Sequence, residues 1–158
     1  MSVTDSFSVG PIHTFAPEED TQPCAKCSRF SRPVSRKTVL LMLKSDRLER
    51  VGQRDFRFCA DSECQVVYFS DECDTTFVKE DLRVRVGLKE RVDPIPLCYC
   101  FGFDEKDVSE ELAERGWSHI PELIAGLIKQ GMCACETRNP SGACCLGDIN
   151  EAINKRSN

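Results

Sequence analysis

Residues 131–145, "GMCACETRNPSGACC", place Cys133, Cys135, Cys144 and Cys145 within thirteen positions. Cysteine at that density makes a disulfide knot, a metal site or a redox relay, and each demands a different fold around it. The rest of the chain arbitrates. There are eleven cysteines in 158 residues, an odd number, and the opening "MSVTDSFSVG" has neither a basic n-region nor an apolar h-region. Disulfide frameworks accompany export. A cytoplasmic location is therefore expected, where thiols stay reduced and dense cysteines serve as metal ligands.

Outward from this stretch, the other cysteines fall into order. Cys98 and Cys100 form "CYC", with 32 residues between Cys100 and Cys133. Further upstream stand Cys24 and Cys27 in "CAKC" and Cys59 and Cys64 in "CADSEC", while Cys73 in "SDECDTT" stands alone. An N-terminal four and a C-terminal six are separated by "GLKERVDPIPL", whose glycine and two prolines mark a connection. The expected organisation is a mobile tail over 1–20, a metal-binding unit over 21–92 and a second unit over 93–158. A net charge of −5 excludes a general nucleic-acid binder, which would show a basic stripe. The runs "VLLML" and "ELIAGLI" fall far short of the roughly 20 apolar residues that span a bilayer.

The pattern predicts an α+β chain, with a small zinc-ribbon-like, β-rich first unit and a helical second one. "SRKTVLLMLKSDRLERV" reads as one helix capped by Ser35, with Val39 and Leu43 on one face. "DFRFC", "QVVYFS", "TTFVKE" and "LRVRV" read as strands, the last an edge strand blunted by arginines. In the second unit Asp104 is placed to cap "EKDVSEELAERG" and Ser118 to cap the next helix, with Pro121 tolerated in its first turn. Ile120, Leu123, Ile124, Leu127 and Ile128 follow helical spacing until Gly131. A last helix with Leu146, Ile149 and Ile153 begins at or just after Cys145.

Zinc takes four tetrahedral thiolates, and two knuckles on separate turns supply them without straining either backbone. Cys24, Cys27, Cys59 and Cys64 are the candidate zinc ligands, and such a closed site is structural because it leaves no position for substrate. The competing reading makes "CAKC" a redox dithiol and Cys59 a core thiol. A CxC turn is ill suited to one tetrahedral ion but suits a cluster with two irons. The CxC pair precedes a helix at Asp104 and Cys145 opens another. Helix-start N–H groups stabilise the charge of a four-thiolate 2Fe–2S unit, about −2 oxidised and about −3 reduced. His119 reads as a first-turn surface residue. His13 lies in the tail, so a Rieske-type pair is not expected. Trp117 and the phenylalanines of "CYCFGF" read as core, and Lys129 and Arg138 as surface residues that can also soften cluster charge.

From "CYC" onward the chain resembles the 2Fe–2S fold of bacterioferritin-associated ferredoxin (BFD): CxC, two helices, then CxxC opening a final helix. Here "CACETRNPSGACC" replaces the CxxC. The resemblance implies Cys98 and Cys100 as the first ligand pair. Spacing favours Cys133 as third ligand over Cys135, and position against the last helix favours Cys145 as fourth over Cys144. Taken with "CAKC", "FRFCADSECQVVYF", "CYCFGF" and "CETRNPSGACCLGD", the chain from about residue 20 resembles the N-terminal portion of CopZ-type copper chaperones, which pairs zinc with a 2Fe–2S cluster. No counterpart of that family's C-terminal heavy-metal-associated domain, with its copper-binding CxxC, occurs in these residues.

The resemblance implies one-electron transfer in copper or heavy-metal trafficking or resistance. Reduction of divalent to monovalent copper before delivery is one such reaction, since monovalent copper prefers soft thiolates. With no flavin or nicotinamide fingerprint, an electron-transfer protein or metallochaperone component is expected rather than an enzyme. Its partners would be an external electron donor, a copper chaperone or transport protein, and copper ions, with no nucleic acid and no membrane insertion. The alternative is a non-redox thiolate adaptor or metal buffer in which Cys73, Cys135 and Cys144 hold soft metal ions directly. A thiol–disulfide enzyme is disfavoured, because no CxxC opens a helix beside a βαβ pattern.

Overall fold

The computed structural model describes residues 22–29 and 31–158. The tail expected over 1–20 lies outside them. Four strands, β1 (Ser31–Val34), β2 (Phe56–Cys59), β3 (Val66–Ser70) and β4 (Thr76–Val78), form an antiparallel sheet in chain order. β2 and β3 are buried at every position, which explains why their sequences run apolar and aromatic without strict alternation. Phe56, Phe58, Tyr68 and Phe77 pack with Val39, Met42, Leu43, Val51, Leu82 and Val86 into the first core. An antiparallel sheet followed by helices agrees with the α+β expectation.

Several local elements differ from their sequence readings. The single long helix is instead α1 (Arg36–Met42) and a separate 3₁₀ helix over Ser45–Arg50. Ser35 caps α1 as expected, its hydroxyl accepting the Thr38 N–H at 3.1 Å. The break comes at Leu43, whose extended backbone (φ −76°, ψ 148°) leaves the helix to bridge Leu82. "LRVRV" is not a strand. Beyond its bridge at Leu82, the segment turns its hydrogen bonds to the end of α1, with Arg83 N donating to the Met42 carbonyl at 2.8 Å. A 3₁₀ turn over Lys79–Asp81 redirects the chain after β4, so the alternating valines never reach the sheet. β1 has no counterpart in the sequence reading. Its Ser-Arg-Pro-Val sequence is a poor strand former, and pairing with β2 decides its conformation.

The second half opens with a short ribbon, β5 (Pro96–Cys98) against β6 (Phe103–Asp104). α2 (Glu105–Arg115) starts on the expected Asp104 cap, where Asp104 and Asp107 exchange side chain-to-backbone bonds at 3.0 and 2.9 Å. α3 (Ile120–Lys129) carries Pro121 in its first turn. Its N-cap position is held by His119, not Ser118. The Ser118 hydroxyl accepts the Ile120 N–H at 3.3 Å and donates to Glu111, whose carboxylate also contacts the His119 ring. α4 (Cys135–Arg138) is a further element without a sequence signal, and α5 (Leu146–Arg156) begins where expected. Leu97, Val108, Ile120, Ile124, Ile149 and Ala152 form the second core, together with Cys98, Cys135 and Cys145. Trp117 is not core: it stands 54% exposed in the α2–α3 turn, and Leu123 is also exposed.

The two halves meet through specific polar contacts. The Tyr68 hydroxyl, fully buried, donates to the Pro140 carbonyl, and the Thr38 hydroxyl donates to the Glu136 carbonyl. Gly87 N donates to the Tyr99 hydroxyl at 3.0 Å, which donates in turn to the Arg85 carbonyl at 2.6 Å. Gly87 is required by close approach, since a Cβ there would lie 1.8 Å from the Pro96 carbonyl oxygen. Gly87→Ala is therefore expected to destabilise the fold by about 1–3 kcal/mol or more through forced backbone displacement. A lowered thermal midpoint in the metal-loaded protein checks it; an unchanged midpoint would mean that β5 moves aside without cost.

Candidate metal centres

In the first centre each thiol is positioned by a turn. The "CAKC" turn is closed by Ser28 N donating to the Cys24 carbonyl at 2.8 Å and Cys24 N donating to the Arg29 carbonyl at 3.0 Å. Ser28 adopts a left-handed φ of 58° to allow it. Cys59 is the last residue of β2. Cys64 follows a tight turn in which Asp61 accepts the Glu63 N–H on its carboxylate at 2.9 Å and the Cys64 N–H on its carbonyl at 3.3 Å. That Glu63 bond, helped by Arg29, holds the Asp61 carboxyl below its ordinary range.

These turns gather the sulfurs of Cys24, Cys27, Cys59 and Cys64 to within 4.8 Å of one another, the sole such group of potential ligands among the described residues. Cys27 and Cys59 stand 3.7 Å apart, matching the roughly 3.8 Å edge of a zinc tetrathiolate with bonds of about 2.3 Å. All four are free thiols, and Cys24, Cys59 and Cys64 are buried. Burial pushes the Cys27 and Cys59 thiols above their ordinary value. At Cys24 burial also acts upward, but N–H groups of Cys27 and Lys26 outweigh it and the net shift is downward. Val66 and Phe69 complete a small third core around the group. Soft donors, closure and spacing all fit zinc. They also make the redox-dithiol alternative incomplete, because it leaves Cys59 and Cys64 unexplained.

Residues 21–83 match the CopZ zinc binding domain family. The chain is 38% identical over 122 residues to the copper chaperone CopZ of Archaeoglobus fulgidus, an alignment covering 77% of this chain and 57% of that relative. It superposes on the crystal structure of the CopZ N-terminal domain from the same organism with a TM-score of 0.69, at 34% identity, covering 82% of this chain and 96% of that one. The chain belongs to the CopZ N-terminal-domain family. It spans little more than half of the full-length CopZ relative. No helix among the described residues is long and apolar enough to cross a membrane.

Five of the remaining thiols of this CopZ-type chain, Cys98, Cys100, Cys133, Cys135 and Cys145, lie in or against the second core. Cys98 ends β5 and is buried; Cys100 lies in the following turn, closed by Gly102 N donating to the Cys98 carbonyl at 3.0 Å. Cys135 opens α4, with its sulfur 3.6 Å from that of Cys100, and the Ala134 N–H points at the Cys100 sulfur at 3.2 Å. Cys145 is buried at the N-cap of α5, in the same core as Cys98. Burial pushes the Cys145 thiol up and the Cys135 thiol up to about 11, the latter opposed by the backbone N–H of Cys145. Cys133 is half-buried against the second core, with no hydrogen bond to another cysteine among the described residues, and Cys144 is exposed. Cys98, Cys100, Cys135 and Cys145 thus share the second core, with Cys135 rather than Cys133 in sulfur contact with Cys100. Arg138 donates to the Cys100 carbonyl at 3.3 Å, so its charge does lie beside this group. Cys73 is exposed, as expected for a lone thiol.

Sequence reasoning missed Lys89 and Tyr99. Both lie in or beside the stretch that reads as a connection, and nothing in composition distinguishes a buried lysine from a solvated one. Tyr99 sits between Cys98 and Cys100, and burial pushes its hydroxyl up to about 12.

Proposed function

We propose that this chain is a two-centre component of copper trafficking, with a structural zinc held by Cys24, Cys27, Cys59 and Cys64 and a 2Fe–2S cluster in a BFD-like unit over 93–158. Cys98, Cys100, Cys135 and Cys145 are the cluster ligands in this reading, Cys135 replacing Cys133. The observation that carries it is that Cys100 and Cys135 stand 3.6 Å apart, with Cys98 and Cys145 buried in the same core, while these four sulfurs do not gather into one foursome like that of the first centre. A single tetrahedral ion needs all four sulfurs mutually close, whereas a two-metal unit takes two thiolates on each metal.

When bound, such a cluster supplies one-electron exchange. The chain's own residues hold and tune the site. Ala134 N–H and the Cys145 N–H donate towards sulfur and stabilise thiolate charge. Phe101, Phe103 and Leu146, packed against the second core that holds these thiols, would limit the access of water. Copper is the substrate class in this reading, following the relative's name, with an external protein as electron donor.

A second reading, a non-redox thiolate adaptor, is favoured by the exposed thiols of Cys73 and Cys144, which are open to soft ions. Anaerobic purification separates the two. About two irons and two sulfides per chain beside one zinc, with visible absorption bleached by dithionite, are expected. Colourless protein holding zinc alone, even after cluster reconstitution, would leave only the adaptor.

A further inference from the structure

Lys89 closes the 3₁₀ turn Gly87–Lys89 and is only 4% exposed. Its ammonium donates to the Asp61 carbonyl at 2.6 Å and to the Cys64 carbonyl at 3.0 Å. Both acceptors are neutral, and both belong to the turn that presents Cys64. No carboxylate forms an ion pair with Lys89 among the described residues. The nearby acids are engaged elsewhere: Asp61 with Arg29 at 3.3 Å, and Glu90 with Lys79 at 3.3 Å and Arg85 at 3.0 Å. A buried cation without a counter-charge is strongly disfavoured. Two acidic groups lie within electrostatic reach of the ammonium: the Asp61 carboxylate, which Arg29 also engages, and Cys59 of the cysteine group.

A zinc tetrathiolate carries a net charge of about −2, and this one is closed from water by burial of Cys24, Cys59 and Cys64. Zinc binds cysteine as thiolate, so a loaded centre places that charge beside the buried ammonium.

We propose that Lys89 is the built-in counter-ion of the Cys24–Cys27–Cys59–Cys64 centre, a positioning residue that clamps the Cys64 turn through two carbonyls and offsets part of the metal-thiolate charge. The proposal rests on the zinc reading above. It also gives the stretch between the two centres a structural role, because the turn that carries Lys89 is the one whose Gly87 bonds Tyr99 between the two CxC cysteines.

The test compares zinc affinity, by competition with a chromophoric chelator, in the full chain and three variants. Lys89→Gln keeps N–H donors for the carbonyls but loses the charge, Lys89→Met loses both, and Lys89→Arg keeps the charge. Lys89→Gln and Lys89→Met are expected to bind zinc about 10–100-fold more weakly, with Lys89→Arg recovering most of the loss. Wild-type affinity in Lys89→Gln would overturn the charge role, and so would equal weakening in Lys89→Arg and Lys89→Met. Should Lys89→Met fail to fold, the Gln and Arg variants decide alone. The underlying zinc reading fails separately, if the unmodified chain takes up no stoichiometric zinc or if Cys59→Ser retains it.

Discussion

Cys59→Ser is expected to strip the chain of tightly held zinc and to unfold much of its first half. Cys59 is fully buried at the end of β2, in register with Ser31 of β1, and 3.7 Å from Cys27. The small core beneath it consists of Cys24, Cys59, Cys64, Val66 and Phe69, so more than half of its members are thiols. With the metal lost, that core has little apolar surface with which to hold residues 22–29. Structural zinc contributes about 10–16 kcal/mol of apparent binding free energy in small zinc-finger peptides, comparable with or above a typical domain's whole stability of about 5–15 kcal/mol. Loss of even part of it exceeds any single apolar truncation in the sheet. Zinc quantification together with thermal denaturation checks the result, and a variant that keeps both its zinc and its melting temperature would exclude Cys59 as a ligand. Acid acts in the same direction. Burial raises the Cys27 and Cys59 thiols, so these two keep their protons through neutral pH and zinc must displace them. Apparent affinity therefore rises with pH and is lost as pH falls.

Cys135→Ser is expected to yield colourless protein, while Cys133→Ser keeps the visible absorption of the 2Fe–2S unit. Cys135 is buried and sits 3.6 Å from Cys100, in the core that also holds Cys98 and Cys145. Cys133 lies two residues upstream, before α4 begins, and faces the margin of the core. A serine at position 135 offers a harder oxygen donor in place of a soft thiolate, which iron–sulfur units bind poorly. Iron content and the visible spectrum after anaerobic reconstitution measure the effect. Colour retained in Cys135→Ser but lost in Cys133→Ser would return the third ligand to Cys133. Loss in neither would place the cluster, if any, elsewhere.

Those two residues also show how far the chain could be read without coordinates. Counting from Cys100 favours Cys133, because spacing along the chain is all that a sequence provides for a loop. The choice turns on α4, a single turn of helix over Cys135–Arg138 that has no periodicity to detect. It is held from outside, by packing against α1 and by the Thr38 hydroxyl bonding the Glu136 carbonyl. Local elements with strong chemistry were legible. The Ser35 and Asp104 caps, the α5 start at Cys145 and the pairing of two knuckles into one foursome all follow from short-range rules. Elements set by distant partners were not. The helix expected through Leu43 breaks because Leu82 bridges it, and "LRVRV" fails as a strand because α1 takes its hydrogen bonds.

By itself, the amino-acid sequence determined the α+β class, the two groups of cysteines and the four thiols of the first centre. Cysteine spacing and helix capping act over a few residues, and such signals survive in one dimension. Only the tertiary structure decided which C-terminal sulfurs meet, that Trp117 faces water, and that Lys89 is buried against the Cys64 turn. Each of these depends on what the other half of the chain places nearby: burial and charge are properties of surroundings, and no residue carries its surroundings in its own name.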